Sequence, residues 1–88
     1  MVSQTIMIKN PTGLHLRPAG TLCKSALHYQ SSIHFQCGRT TANVKSVLSV
    51  LGACVKSGDE IILICDGPDE ETALADLVAL VESGLGEN

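Results

Sequence analysis

The sequence has few aromatic residues and no long apolar run. Tyr29 and Phe35 are its only Tyr, Phe or Trp residues, and the formal net charge is −3. Because nucleic-acid-binding sheets stack bases on aromatic rings and carry positive charge, we expect no nucleic-acid partner. The longest apolar runs, such as residues 61–65, fall far short of the roughly 18 residues that span a bilayer. Residues 1–10 also lack the basic patch and long apolar stretch of a signal peptide, so we expect no membrane insertion and a cytoplasmic location.

The cysteines are not arranged in C-x-x-C pairs. They are Cys23, Cys37, Cys54 and Cys65. Cysteine-based metal sites use closely spaced pairs, so we predict no bound metal, and nothing in the sequence calls for a cofactor. An even number of cysteines is compatible with disulfides in a secreted protein. Without an export signal, and at positions in phase with the apolar pattern, these cysteines are predicted to be reduced and buried.

Acidic side chains are absent from the first two thirds of the chain. All six Lys and Arg residues lie between Lys9 and Lys56, and all nine Asp and Glu residues lie between Asp59 and Glu87. Two interpretations are open. The segregation is either the chance result of an acidic last helix, or it gives the first part of the chain a positive surface for phosphate or an acidic partner. We favour the second because the motifs described below fall in that part.

Hydrophobic periodicity predicts the element order β-α-β-β-α-β-α. Strands are predicted over residues 2–8, 32–37, 40–42 and 61–65, and helices over 16–28, from near Ser46, and from Asp69 to Gly84. In the last helix we expect Asp69 to cap the N-terminus, Leu74, Leu77, Val78 and Val81 to face the core, and Leu85 to fold back. The order predicts an α+β open-faced sandwich, with a four-stranded, mostly antiparallel sheet and three helices on one face, in a single domain over residues 1–88.

The stretch NPTGLHLRPAG, residues 10–20, places a histidine and an arginine where a helix begins. Pro18 is favoured in a first helical turn, so the helix is predicted to start at His15 or Leu16. Such a helix start attracts anions, and Arg17 adds a planar set of donors that suits phosphate oxygens. A cationic environment disfavours a base that becomes positive, but it favours an imidazole that gains a phosphoryl group. We therefore predict function at His15 and Arg17, and none at His28 or His34.

These residues carry a family resemblance. GLHLRPAG resembles the active-site signature of HPr, the histidine-containing phosphocarrier of the phosphoenolpyruvate-dependent sugar phosphotransferase system (PTS), and NVKSVLSVLG resembles the regulatory-serine segment of that family. The resemblance covers essentially the whole chain. It implies that enzyme I phosphorylates His15 on Nδ1, that Arg17 stabilises the phosphohistidine, and that EIIA domains receive the group. It also implies a monomeric carrier without independent turnover. In organisms that have an HPr kinase/phosphorylase, it implies phosphorylation of Ser46 by that enzyme, with a transcriptional regulator as a further partner.

The resemblance also implies a docking surface for partner proteins. We define it as Leu16, Gly20, Val47, Leu48 and Leu51, with Lys24 and Lys45 at its charged rim. Leu16 stands where the family usually has a small or hydroxylated residue, and Leu27 and Ser49 replace lysines that are common in the rim. Recognition by enzyme I is therefore predicted to be specialised, and the segment Gly52–Cys54 is predicted to end or bend the middle helix early.

Several alternatives remain open at this point. The tail from Gly67 onwards resembles that of nitrogen-branch carriers (NPr), in which the same chemistry would serve regulation. A domain of another class would use His15 and Arg17 to bind an anion or small molecule without covalent capture. Ser46 also has a purely structural interpretation, because a serine before an apolar helical run is a common N-cap.

Overall fold

A computed structural model places a four-stranded sheet beneath three helices, and it describes residues 1–86. Residues 87 and 88, the end of the predicted domain, lie outside the described part. The elements are β1 (Val2–Met7), α1 (Leu16–Ala26), β2 (Ser32–Cys37), β3 (Thr40–Asn43), α2 (Val47–Gly52), β4 (Glu60–Asp66) and α3 (Glu70–Glu82). The predicted order is confirmed, and the boundaries differ from the predicted ones by a few residues.

The strand order in the sheet is β1-β4-β2-β3, so the last strand of the chain lies between the first and the second. Each of the three pairings is antiparallel. In the register, Ile61 of β4 lies opposite Ile6 of β1, and Leu63 lies opposite Phe35 of β2. The predicted α+β open-faced sandwich is therefore confirmed.

Alternate side chains of the central strands form the floor of the core. The buried ones face the helices and are Ile33, Phe35, Ile61, Leu63 and Cys65. The helices cover them with buried side chains of their own, including Ala19, Leu22, Ala26, Val50, Ala73, Leu77 and Val81. His34, Ile62 and Ile64 alternate with the buried set and lie on the open face of the sheet. Within residues 1–86, no helix is long and apolar enough to cross a bilayer.

Helix α3 ends as predicted. Gly84 adopts a left-handed φ of +93°, its N–H donates to the carbonyl of Val81, and the N–H of Leu85 donates to that of Leu80. These two bonds form the Schellman motif that satisfies the last helical carbonyls. Leu85 is only 1% exposed, so the chain folds back onto the core.

Two side-chain predictions for this fold are wrong, and a third is met only in part. Asp69 is the N-cap of α3, but its carboxylate accepts no capping hydrogen bond and instead binds residues 30 and 31. Leu74 packs against the core as predicted but is only half-buried, and Ala73 occupies the fully buried position in the first turns of α3. Cys54 is exposed, because α2 ends at Gly52 and the chain turns there, which takes Cys54 out of the helical pattern.

The remaining cysteines follow the predicted pattern more closely. Cys23 and Cys65 are buried, Cys37 is half-buried, and none of the four cysteines forms a disulfide. Burial is the main cause of the raised pKa values of the Cys37 and Cys65 thiols. Within residues 1–86, no cluster of three or more His, Cys, Asp or Glu side chains could hold a metal ion.

Candidate functional site

His15 is the N-cap residue of α1. Its backbone is extended, with φ −77° and ψ −176°, and its carbonyl accepts a hydrogen bond from the N–H of Ala19 at 2.8 Å. The imidazole makes no capping hydrogen bond and is exposed. The predicted helix start is thus confirmed, and His15 is exposed to solvent at that position.

The first turn of α1 presents donors to the space around His15. Pro18 contributes no N–H, and helix geometry leaves the N–H groups of Leu16 and Arg17 without an intrahelical acceptor. These groups and the positive end of the helix dipole favour an anion here. The guanidinium of Arg17 is exposed, and among residues 1–86 it forms no salt bridge with a carboxylate. Its donors are therefore available to phosphate oxygens.

Two open grooves meet at Leu16, which is 69% exposed and lines both. The smaller groove, of about 260 Å³, contains His15 and extends to α2 and the segment that follows it; its other lining residues are Leu14, Leu51, Cys54, Val55 and Lys56. The larger groove, of about 510 Å³, follows α1 to the end of α3; it is lined by Arg17, Gly20, Thr21, Lys24, Ser25, His28 and Leu80. Arg17 and Lys24 line the larger groove and Lys56 lines the smaller one, and neither set of described lining residues includes a carboxylate. Both grooves are therefore electropositive.

The loop that carries His15 rests on the turn before β4. The N–H of Leu14 donates to the carbonyl of Val55 at 3.0 Å, and the N–H of Ile8 donates to that of Asp59 at 2.9 Å. The N–H of Gly58 donates back to the carbonyl of Ile8 at 2.8 Å. Sequence reasoning missed this support, because its partners are more than forty residues apart along the chain.

Ser46 is the N-cap of α2, as the alternative structural interpretation predicted. Its Oγ accepts a hydrogen bond from the N–H of Ser49 at 3.2 Å, and its carbonyl accepts one from the N–H of Val50. The hydroxyl oxygen of Ser49 accepts a further bond from the N–H of Asn43 at 2.9 Å. Ser49, which replaces a common rim lysine, thus connects α2 to the end of β3.

The apolar residues of the docking surface differ in exposure. Leu16 and Leu48 are strongly exposed, at 69% and 82%. Val47 and Leu51 are half-buried, and Leu51 packs against the hydrophobic core. A Cβ added to Gly20 would meet no atom within 4 Å, so no intramolecular contact requires a glycine there.

The two rim lysines have different environments. Lys24 is exposed and lines the larger groove. Lys45 is half-buried, and its ammonium donates a hydrogen bond to the carbonyl of Tyr29 at 2.7 Å. Lys45 therefore connects the start of α2 to the end of α1, a contact that the sequence alone did not reveal.

The other two histidines lie apart from His15. His28 is exposed after the end of α1 and lines the far end of the larger groove. His34 lies on the open face of the sheet, where its Nδ1 is 3.1 Å from the Oγ of Ser32. Neither shares the smaller groove with His15.

Several carboxylates near α3 are engaged in local contacts. Asp69 accepts hydrogen bonds from the Oγ and N–H of Ser31 and from the N–H of Gln30, and these bonds lower the pKa of its carboxyl group. Glu70 accepts hydrogen bonds from the N-terminal ammonium and from the N–H of Gly67, which lower its pKa in the same way. The acidic residues therefore support the fold at the start of α3.

An open-faced sandwich with an exposed histidine at the start of its first helix has the architecture of a histidine phosphocarrier. The chain belongs to the HPr family: the family model described as the PTS HPr component phosphorylation site matches residues 2–83. The family assignment made from the two motifs is thereby confirmed.

Known proteins of this family match the chain over nearly its whole length. The chain is similar to the phosphocarrier protein HPr of Lysinibacillus sphaericus, with 35% identity over 99% of this chain and 100% of that protein. The crystal structure of HPr-C-His from Thermoanaerobacter tengcongensis is 39% identical, with a TM-score of 0.96 over 100% of this chain and 99% of that one. A structure described as an HPr dimer from the same organism is also 39% identical, with a TM-score of 0.79 over 99% and 100% of the two chains. The predicted phosphocarrier role in the PTS is confirmed at the level of the family.

Proposed function

We propose that His15 is the residue through which this member of the HPr family carries the phosphoryl group. Enzyme I, charged by phosphoenolpyruvate, is the donor, and EIIA domains are the acceptors. The observation that carries the proposal is the exposed imidazole of His15 at the N-cap of α1, beside two electropositive grooves. Binding of nucleic acid or insertion into a membrane forms no part of this function.

The transfer step needs one nitrogen and a surrounding set of donors. The lone pair of His15 Nδ1 forms an N–P bond as the bond between phosphorus and enzyme I breaks, and the electrons of that bond leave with enzyme I. The same exchange in reverse passes the group to an EIIA domain. The donors of the first turn and the Arg17 guanidinium stabilise the added negative charge. The chain therefore acts as a carrier that is recharged, without turnover of its own.

Partner docking follows from the surface around His15. Leu16 and Leu48 offer exposed apolar area, while Arg17 and Lys24 supply positive charge beside it. A surface of this kind fits a partner with an apolar centre and an acidic rim. We assign this surface to enzyme I and EIIA domains. In this proposal the protein acts in the cytoplasm as a monomer, and residues 1–88 form one HPr domain.

Ser46 is proposed as a regulatory phosphorylation site in addition to its role as a cap. Its hydroxyl lies at the start of α2, immediately before Val47 and Leu48 of the docking surface. A phosphate there would bring a dianion to the rim of the interface, where an acidic partner would be repelled. An HPr kinase/phosphorylase and a transcriptional regulator are the partners of this form in organisms that have them.

Covalent capture tests the proposal. After incubation with enzyme I and phosphoenolpyruvate, intact-mass analysis is expected to show one added phosphoryl group that is labile to acid and stable to base. His15→Ala should abolish the addition, while His28→Ala and His34→Ala retain it. Phosphoryl group retained in folded His15→Ala would refute the assignment. Reversible anion binding with no change in mass would instead support the non-covalent regulatory domain.

A further inference from the structure

We propose that Asn10 is a positioning residue for phosphoryl transfer, which acts by holding the loop that presents His15. The proposal rests on the assignment of His15 as the acceptor and extends it to a residue that does not touch the phosphoryl group. Its basis is a buried side-chain hydrogen bond inside the turn at residues 10–13, together with the close packing of that turn on the segment before β4.

Asn10 is buried to an extent that is unusual for a polar residue. It is 1% exposed, and Ser31 is the other buried polar residue in the described part of the chain. The side-chain Nδ2 of Asn10 donates a hydrogen bond to the backbone carbonyl of Gly13 at 2.6 Å. The backbone carbonyl of Asn10 accepts a hydrogen bond from the N–H of Gly13 at 3.1 Å. Asn10 therefore closes the turn through its side chain as well as its backbone.

The closed turn is seated tightly on a neighbouring segment. Gly13 has a left-handed φ of +68°, and a Cβ at this position would lie 2.6 Å from the carbonyl oxygen of Val55 and 2.8 Å from the Cα of Lys56. The next residue, Leu14, is fixed to the Val55 carbonyl by its N–H. His15 follows directly, so the path of the backbone into the N-cap is set by these contacts.

Loss of the Asn10 side chain would loosen this arrangement at a specific point. The Gly13 carbonyl would lose its 2.6 Å donor, and the hydroxyl of Thr12, at 3.5 Å from the same oxygen, is too distant to replace it. A buried carbonyl that has lost its hydrogen-bond donor favours a rearrangement of the backbone that exposes the carbonyl to water. Because phosphoryl transfer depends on the position of the attacking nitrogen, a small displacement of His15 is expected to slow the chemical step.

A pair of variants separates positioning from general destabilisation. Asn10→Ala removes the Nδ2 donor to the Gly13 carbonyl, in the loop that presents His15. Ser31→Ala removes the other buried polar side chain, which binds Asp69 at the start of α3. Melting temperatures are measured first. Phosphorylation by enzyme I is then followed well below both melting temperatures, with kcat and KM for the carrier determined separately. The ring resonances of His15 are recorded by NMR in the unphosphorylated proteins.

The expected result is a fall in kcat of about 10- to 100-fold for Asn10→Ala, with little change in KM and with shifted His15 ring resonances. Ser31→Ala should keep wild-type kcat and resonances despite its loss of stability. Asn10→Ser, whose shorter side chain cannot span the same distance, provides the same test if Asn10→Ala does not fold.

Wild-type kcat and unshifted resonances in a folded Asn10 variant would overturn the proposal. An equal loss of kcat in Ser31→Ala would also overturn it, because the effect would then follow stability alone. Failure of the proposed function gives a different pattern: the wild-type protein itself would not be phosphorylated at His15. The resonances of His15 would still report whether Asn10 sets the position of the ring.

Discussion

The hydroxyl of Tyr29 donates a hydrogen bond to the carboxylate of Asp76, and this contact joins the segment after α1 to the middle of α3. The bond requires the protonated phenol, and it raises the pKa of Tyr29 to about 12. Because the folded pKa lies above the unfolded value of about 10, the contribution to stability is present below pH 10. It is lost as the pH rises through 12.

We expect Tyr29→Phe to reduce the free energy of unfolding by about 1 kcal/mol at neutral pH. The difference between variant and wild type should shrink between pH 10 and pH 12, and denaturant titrations across this range measure it. The chain has a single tyrosine, so phenolate absorbance reports the pKa directly. A difference that is constant up to pH 12 would contradict a role for this hydrogen bond.

Arg17→Lys is expected to slow phosphoryl transfer more than it affects folding. A lysine keeps the charge but loses the planar set of donors, and loss of a charge-assisted hydrogen bond costs about 1.5–3 kcal/mol, or roughly 10- to 150-fold in rate. Rates to and from enzyme I measure the effect. Arg39→Lys, at an exposed arginine between β2 and β3, is the matched control. Equal rates in both variants and wild type would exclude the proposed role of Arg17.

Substitutions at Ser46 should separate its two roles. Ser46→Ala removes the acceptor for the N–H of Ser49 and should lower the free energy of unfolding by about 1 kcal/mol. The rate at which enzyme I phosphorylates His15 should stay at the wild-type value. Ser46→Asp retains a capping carboxylate and should keep the melting temperature, but it should slow phosphorylation by enzyme I at low salt. The slowing should weaken as salt is added, because exposed charges are screened over about 8–10 Å. Wild-type rates for Ser46→Asp at low salt would leave Ser46 as a cap only.

Cys54→Gly is expected to stabilise the protein. Cys54 follows the C-cap residue Ala53 with a left-handed φ of +54°, a conformation in which a Cβ is unfavourable and glycine is preferred. The left-handed Cβ costs about 1–2 kcal/mol, and the greater freedom of an unfolded glycine offsets about 0.4–1 kcal/mol of that, so the expected gain is about 0.5–1 kcal/mol, measured by denaturant unfolding. Cys54→Ala is the control, since it removes the thiol but keeps the Cβ. A gain of the same size in Cys54→Ala would assign the effect to the thiol.

The local features of the site could be predicted from the sequence because their signals lie within a few residues. Pro18 in a first turn predicts that α1 starts at His15 or Leu16, and Ser46 before an apolar run predicts the cap of α2. Each involves hydrogen bonds between residues three or four positions apart, so the pattern in the sequence and the contact in the structure coincide.

Contacts between distant parts of the chain could not be predicted in this way. Asp69 has the residue type and position of a helix cap, yet its carboxylate binds the backbone of Gln30 and Ser31, which approach it only after the sheet forms. Lys45 resembles an exposed rim lysine in the sequence, but its ammonium reaches the carbonyl of Tyr29. In both cases tertiary packing supplied a partner that local sequence does not specify.

The position of β4 between β1 and β2 also bears on how the protein is made. A ribosome-bound chain that ends before residue 55 lacks both the central strand and the segment on which Gly13 is seated. The β2–β3 hairpin can form early, but β1 has no partner until residues 60–66 have emerged. We therefore expect the loop that carries His15 to become ordered late in synthesis, once residues 55–66 have left the ribosome.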